Sequence, residues 1–304
     1  MMCLLTTEYT KSERTILEEI KNPFVVKLFY AFQDSNKLYL ILEVPPFPIV
    51  DTDMQYAAGG ELFHHLDTEK MFAEDVACFY VAEVFLALTA LHKQGIVYRD
   101  LKPENCLLDS EGHILLTDFG LSKVADDDAD CNSFCGTCEY MAPEMCMGQS
   151  YSYEVDYWAM GVLLHELLTG SPPFTGTNNR IISDRIVKTK LKLPFYLSPD
   201  AKDLLTKLLK KVPLARLGSK PGDGQKIRQH RFFRKINWKL LEARELEPPI
   251  RPIITDLAAA ENFPRFNSNA LPNSPPTGTS LGDGLFQGFT YTASSSFIDR
   301  FMKR

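Results

Sequence analysis

The chain has 304 residues, 45% hydrophobic and 24% charged, with a formal net charge of -6. That length fits one large domain or two lobes around a cleft, and the charge gives no reason to expect nucleic acid or an anionic membrane as a partner. Seven cysteines without a secretory signal, and no run of ~20 apolar residues, argue against a disulfide scaffold and a spanning helix and place the chain in the cytosol or nucleus.

Lys11 to Lys21 carries Ile16, Leu17 and Ile20 among charges, which predicts an amphipathic helix stopped by Asn22-Pro23. Two β-like runs follow, Val25 to Phe32 and Lys37 to Leu42, parted by the turn formers Asp34-Ser35-Asn36. The segment Val44 to Gln55 holds three prolines, so it should loop out rather than join a helix or a central strand. Glu61 to Leu66 predicts a short helix. Phe72 to Leu91 predicts a long one, with Val76, Phe79, Tyr80, Val84, Leu88 and Leu91 inward and Gly95 as its cap. Cys106 to Thr117 reads as a β-hairpin turning at Ser110-Glu111-Gly112. Val155 to Leu168 is apolar nearly all round and predicts a buried helix; Ser198-Pro199 starts another that runs through Leu209. From Pro248 to Gly284, Pro, Ser, Asn and Gly cluster without periodicity, the pattern of an extended tail.

Between the long helix and the hairpin lies Tyr98-Arg99-Asp100-Leu101-Lys102-Pro103-Glu104-Asn105; Asp118-Phe119-Gly120 and Ala142-Pro143-Glu144 come later. An Asp, a Lys and an Asn within six residues put a carboxylate, an ammonium and an amide on one loop. A second Asp returns beside them if the hairpin forms. Phosphoryl transfer needs this set: a carboxylate to orient the attacking hydroxyl, a cation for the phosphate, and Asn plus Asp to hold magnesium.

The order R-D-L-K-x-x-N, D-F-G, A-P-E resembles the eukaryotic protein kinases. Tyr98, the segment Ser133 to Glu144 and the run Phe286-Gln287-Gly288-Phe289-Thr290-Tyr291 are similar to the AGC group. Within it, Lys37 to Glu43, Pro172 to Gly176 and Gly288 to Tyr291 resemble the ribosomal protein S-six kinases. The resemblance implies an α+β fold of two lobes: residues 1–43 a partial small lobe, 44–55 an insert in the hinge, 56–233 a mainly helical large lobe, and 234–304 the tail of the AGC group. The insert leaves two readings open, an unspliced in-frame segment or a loop proper to this chain.

By the same resemblance the chain uses ATP and Mg²⁺ to phosphorylate Ser or Thr of protein substrates with basic residues N-terminal to the target. Asp100 and Lys102 are the catalytic pair and Asn105 and Asp118 the metal ligands. Leu42, Glu43, Ala57 and Leu107 frame the adenine, and Glu61 and Glu166 meet the basic residues of the substrate, unless they are merely a solvated acidic face. Arg99 and Lys123 would receive a phosphate on Ser133. Thr290 and Ser274 are the tail phosphosites, served like Ser133 by upstream kinases. Phe286 and Phe289 would dock near Gln33 and Leu38. Glu144 pairs with Arg216, and Asp156 braces the catalytic loop. Glu13 matches the helix glutamate that pairs with a strand lysine, yet neither that lysine nor a glycine-rich loop is found upstream of it. A second reading, a truncated and inactive remnant that binds or scaffolds partners, follows from that departure. Cys131, Cys135, Cys138 and Cys146 fit no familiar zinc spacing.

Overall fold

The computed structural model describes residues 13–33, 38–42, 59–124, 137–220, 223–253 and 289–293, with the backbone alone at Gln33, Leu38, Tyr39, Ile41, Lys123 and Val124. The first helix, α1 (13–19), turns Ile16, Leu17 and Ile20 into the core. The strands β1 (Leu28–Gln33) and β2 (Leu38–Leu42) pair antiparallel, Ala31 opposite Leu40. A third strand comes from the far end of the chain: β8 (Tyr291–Thr292) adds to the other edge of β1, Ala31 opposite Tyr291, in the order β2-β1-β8.

Between α1 and β1 the chain docks on the larger part of the molecule. Val26 N donates to Leu116 O at 3.0 Å and Leu116 N to Phe24 O at 2.9 Å. Leu116 lies on β6 (Ile114–Leu116), which pairs with β5 (Cys106–Leu108), which in turn pairs with β3 (Gly60–Glu61). Two short strands, β4 (Ile96–Val97) and β7 (Lys123–Val124), form a separate ladder.

The helical part is built on α3 (Glu74–Lys93) and α5 (Glu154–Thr169), both buried nearly all round, as their uninterrupted apolar faces require. By length and composition α3 is apolar enough to cross a membrane, which counting apolar runs alone had excluded; 72% of that stretch is buried inside the fold, so its apolarity serves the core. It begins two residues later than its pattern predicts, with Glu74 and Asp75 in the first turn and His92 and Lys93 in the last, charges that favour the helix dipole. The shorter helices are α2 (Leu62–Glu69), α4 (Pro143–Cys146), α6 (Asn179–Lys188), α7 (Pro199–Leu208), α8 (Asp223–Arg228) and α9 (Trp238–Glu242). Ser198 caps α7 by accepting from Ala201 N at 3.1 Å. Gly161 of α5 sits where α7 ends; a Cβ there would meet Leu208 Cβ at 2.9 Å, so the two helices approach this closely only without a side chain.

Packing does not stop at Phe233. Leu241 of α9 is fully buried in the same core, and the chain then returns over the β5–β6 hairpin. Arg244 binds the Asp109 carboxylate, Ile250 N donates to Tyr80 Oη at 3.3 Å, and Gly112 (φ 95°) leaves room for the Ile250 carbonyl.

One buried ion pair locks α4 to the segment after α7. Arg216 donates from both terminal nitrogens to Glu144, at 2.6 and 2.9 Å, with further bonds to Glu154 O and Lys210 O, and it lies over the Trp158 ring at 5.2 Å. Both side chains are excluded from water, so the Glu144 charge cannot turn to solvent in place of Arg216. Arg216→Ala strands the Glu144 carboxylate and is expected to cost about 3–5 kcal/mol, read as a lower urea midpoint at unchanged slope.

Candidate active site

The loop 98–105 is shaped by groups behind it. Asp156, completely buried on α5, accepts from Tyr98 N at 2.9 Å, Arg99 N at 2.8 Å and His92 Nε2 at 2.7 Å. These bonds hold Arg99 at φ 69°, a left-handed conformation that a non-glycine residue adopts only when its surroundings impose it. His92 lies on α3 with its ring against Tyr153 and Tyr157. Sequence reasoning assigned Asp156 and missed His92, whose only signal was its place in the last turn of α3.

The two acidic segments are then brought side by side. Thr117 N donates to Asn105 O at 3.1 Å, next to the Cys106–Leu116 pair. Tyr98 Oη donates to Thr117 O at 2.5 Å, Ser122 Oγ donates to Tyr98 O at 3.1 Å, and the Phe119 ring packs on Tyr98 at 5.2 Å. Burial pushes the Tyr98 phenol well above its ordinary range, and Asp100, Asp118 and Asp156 add to the effect. Tyr98 therefore remains a neutral donor among three carboxylates.

Asp100 is buried, and its Oδ2 accepts from Lys102 Nζ at 3.1 Å and from Asn105 Nδ2 at 2.9 Å. Asn105 Nδ2 also donates to Asp100 O at 2.9 Å. With the amide nitrogen so occupied, the amide oxygen is the atom Asn105 has left for a ligand. Asp118 is exposed, at φ 58°, and Gly120 N donates to its Oδ1 at 3.3 Å. An amide oxygen and a largely unengaged carboxylate, one residue apart across a backbone bond, fit Mg²⁺, a hard cation held by few protein oxygens. Among the described residues no group of three or more His, Cys, Asp or Glu side chains forms a fuller cage.

Leu107 and Leu115 form a small apolar pair separate from the main core, because they face the opposite side of the hairpin from Cys106, Leu108, Ile114 and Leu116. Leu42 is half-buried on β2. Glu43 and Ala57, the other expected adenine contacts, lie outside the described residues, as do Ser133, Ser274 and Phe286. A cavity of about 340 Å³ lined by Glu74, Cys78, Phe79 and Arg234 includes none of the site residues, and much of the expected cleft wall belongs to 43–58.

Glu61 precedes α2, and Glu166 is buried on α5 with Tyr140 donating its hydroxyl to it. Burial raises both carboxyls above the ordinary range, and Glu104 raises both further. Glu104, exposed between Lys102 and Asn105, is the member that sequence reasoning missed; Glu61 and Glu166, from distant stretches, both come close enough to feel its charge, a grouping visible only in space. Arg99 donates to Leu121 O at 2.5 Å and to Tyr151 Oη at 3.2 Å, while Lys123 pairs with Val97 through its backbone. Thr290 is exposed beside buried Phe289; the ladder nearest to them involves Tyr30 and Ala31.

Glu13 turns toward Asp118 and Phe119. Burial, then the Asp118 charge, raises its carboxyl from 4.5 to about 7, against a backbone bond from Phe119 that lowers it. Below pH 4.5 the proton is bound in folded and unfolded chains alike. Between 4.5 and about 7 the unfolded chain releases it while the folded chain keeps it, so folding stability falls as pH rises through that window. Glu13→Gln is expected to remove a decline on the order of 1–3 kcal/mol between pH 4.5 and 7, measured by denaturant unfolding in the presence of a chelator.

The description "Protein kinase domain" matches residues 5–233. The chain is 47% identical over 293 residues to ribosomal protein S6 kinase beta of Caenorhabditis elegans, covering 95% of this chain and 51% of that protein. It is 42% identical to serine/threonine-protein kinase AtPK2/AtPK19 of Arabidopsis thaliana, covering 96% and 60%, and 46% identical to ribosomal protein S6 kinase alpha-1 of Homo sapiens, covering 95% and 38%. The chain thus spans about half the length of the curated relatives it matches.

Proposed function

The chain belongs to the protein kinase family, and from that premise we propose that it transfers the terminal phosphoryl group of ATP to Ser or Thr hydroxyls of proteins, as an AGC-type, S6-kinase-like enzyme. The observation that carries this reading is the joining of Asn105 to Thr117, which sets Asp118 beside the loop of Asp100 and Lys102. Asp100 orients the acceptor hydroxyl and takes its proton late, since the loose transition state asks little of a base. Lys102, a mobile point charge now resting on Asp100, shifts to the transferring phosphoryl group. Asn105 and Asp118 would hold magnesium, which would supply positive charge for the phosphates. Leu107 and Leu115 offer the adenine an apolar surface.

Glu61, Glu104 and Glu166 make a site for basic residues on the substrate, supported by the charge of Glu104, which adds to burial in raising both Glu61 and Glu166 and which a cation placed there would offset. Upstream kinases phosphorylate Ser133, Ser274 and Thr290. The exposed Thr290, with Phe289 buried beside it, is open to such modification. Arg99 and Lys123 receive the phosphate on Ser133, which adds up to about -2 charge. The free thiols Cys78, Cys106, Cys138 and Cys146 suit a reducing compartment, the cytosol or nucleus.

One observation favours the second reading, an inactive remnant that binds partners. Glu13 faces the Asp118 carboxylate, where a cation would be needed to order the phosphates. Assay of the chain with magnesium, ATP and a Ser peptide rich in N-terminal Arg separates the two. Transfer that falls by about 10³-fold or more in both Asp118→Asn and Asp100→Asn supports the enzyme. In that case Glu61→Gln and Glu104→Gln raise KM for the basic peptide more than they lower kcat. Absence of transfer by the unaltered chain supports the remnant.

A further inference from the structure

The charge of this chain is unevenly spread. Residues 180–211 hold nine Lys or Arg against three Asp, a net of +6 in a chain whose total is -6. After α6 the chain runs from Thr189 to Pro194 without helix or strand, with Leu191 and Leu193 packed against the core. Burial alternates along it, so Lys190 and Lys192 are left outside. Both are exposed and neither has a carboxylate partner among the described residues. Lys188, also exposed, precedes them, paired to Asp184.

The segment ends in two aromatics. Phe195 is 92% exposed and Tyr196 52%, their rings edge to face at 5.9 Å, and Lys202 Nζ binds Phe195 O at 2.8 Å. The nearby acids are engaged elsewhere: Glu74 accepts from Ser198 N, and Asp200 is bound by Arg231 and Arg234. An aromatic so far out of the fold has a cost in water with no return in packing. Phe195 stands clear of the fold with Tyr196 half exposed beside it and exposed Lys190 and Lys192 just before it, a pairing of aromatic and basic side chains that suits the boundary between acidic lipid heads and acyl chains.

We propose that the Lys188–Tyr196 segment docks the chain on anionic bilayers, with Phe195 and Tyr196 entering the headgroup region and Lys188, Lys190, Lys192 and Lys202 facing the acidic lipid heads. Basic side chains supply attraction that salt screens, and the aromatics supply a component that salt does not. The total charge of the chain hides this patch. The proposal is independent of the catalytic reading, since none of these residues belongs to the active site.

The test is co-sedimentation of the full chain with unilamellar vesicles of phosphatidylcholine alone and of 70:30 phosphatidylcholine and phosphatidylserine. Two double variants are compared, Lys190→Glu with Lys192→Glu, and Phe195→Ser with Tyr196→Ser; all four side chains are exposed, and thermal melting verifies the fold. The expected result is pelleting with the acidic vesicles only, reduced about tenfold or more in each double variant, with the aromatic variant losing the part that resists salt. A chain that stays in the supernatant with acidic vesicles at low ionic strength overturns the proposal, as does wild-type binding in either variant pair. Binding to soluble polyglutamate, lost in the variants, without binding to vesicles overturns it in favour of an acidic protein partner.

Discussion

A single carboxylate with no access to water sets the geometry of the site. Asp156 has two backbone N–H groups and one imidazole as partners, and each of those groups would be unsatisfied without it. Leaving a buried donor or acceptor without a partner costs about 1–3 kcal/mol per group. This offsets the strain of Arg99 at φ 69°, which is of similar size. The reversal of the chain at Arg99 presents Asp100 and Lys102 together, and from there the loop reaches Asn105 and the hairpin. The apolar cage of α3 and α5 is therefore part of the chemistry, because it denies Asp156 any other partner.

The loop of Asp100, Lys102 and Asn105 was legible in the sequence because its members are neighbours in the chain. Asp100, Lys102 and Asn105 fall within six residues, and the apolar run ahead of Asp118 signalled the hairpin that returns it. The helices α3, α5 and α7 were legible for a different reason: long apolar faces and a Ser-Pro start leave few alternatives. What could not be read depends on approach through space. Glu104 gains meaning only when Glu61 and Glu166, from either side of it in sequence, come close enough for its charge to add to the burial that raises them. His92 looked like a helix-end charge until Asp156 arrived from another helix. Nor could composition tell that the chain after Phe233 would bury Leu241 and strap the hairpin through Arg244 and Ile250. Short helices with polar faces carry too little periodicity for that.

Counting charge likewise says little about where charge sits. The total of -6 and the local +6 of residues 180–211 are both correct, and the second governs what an approaching surface meets within a Debye length of about 8–10 Å. Side chains that alternate between core and solvent from Lys190 to Leu193 sort by chemistry, leucine inward and lysine outward.

The tail joins these local arguments into a mechanical one. Phe289 is buried in the same core as Ile16 and Leu17 of α1, β8 closes the edge of β1, and Arg14 lies over the Tyr291 ring at 5.5 Å. Arg14 follows Glu13, whose carboxyl faces the Asp118–Phe119 segment. Tail docking and the disposition of Asp118 are thus separated by one short helix, fixed at one end by an aromatic contact and at the other by the bridge from Phe24 and Val26 to β6. A packed element of this kind transmits displacement because its neighbours leave no room for it to bend. Burial, then the charge of Asp118, raises the Glu13 carboxyl, so the position of α1 and the proton on Glu13 are coupled.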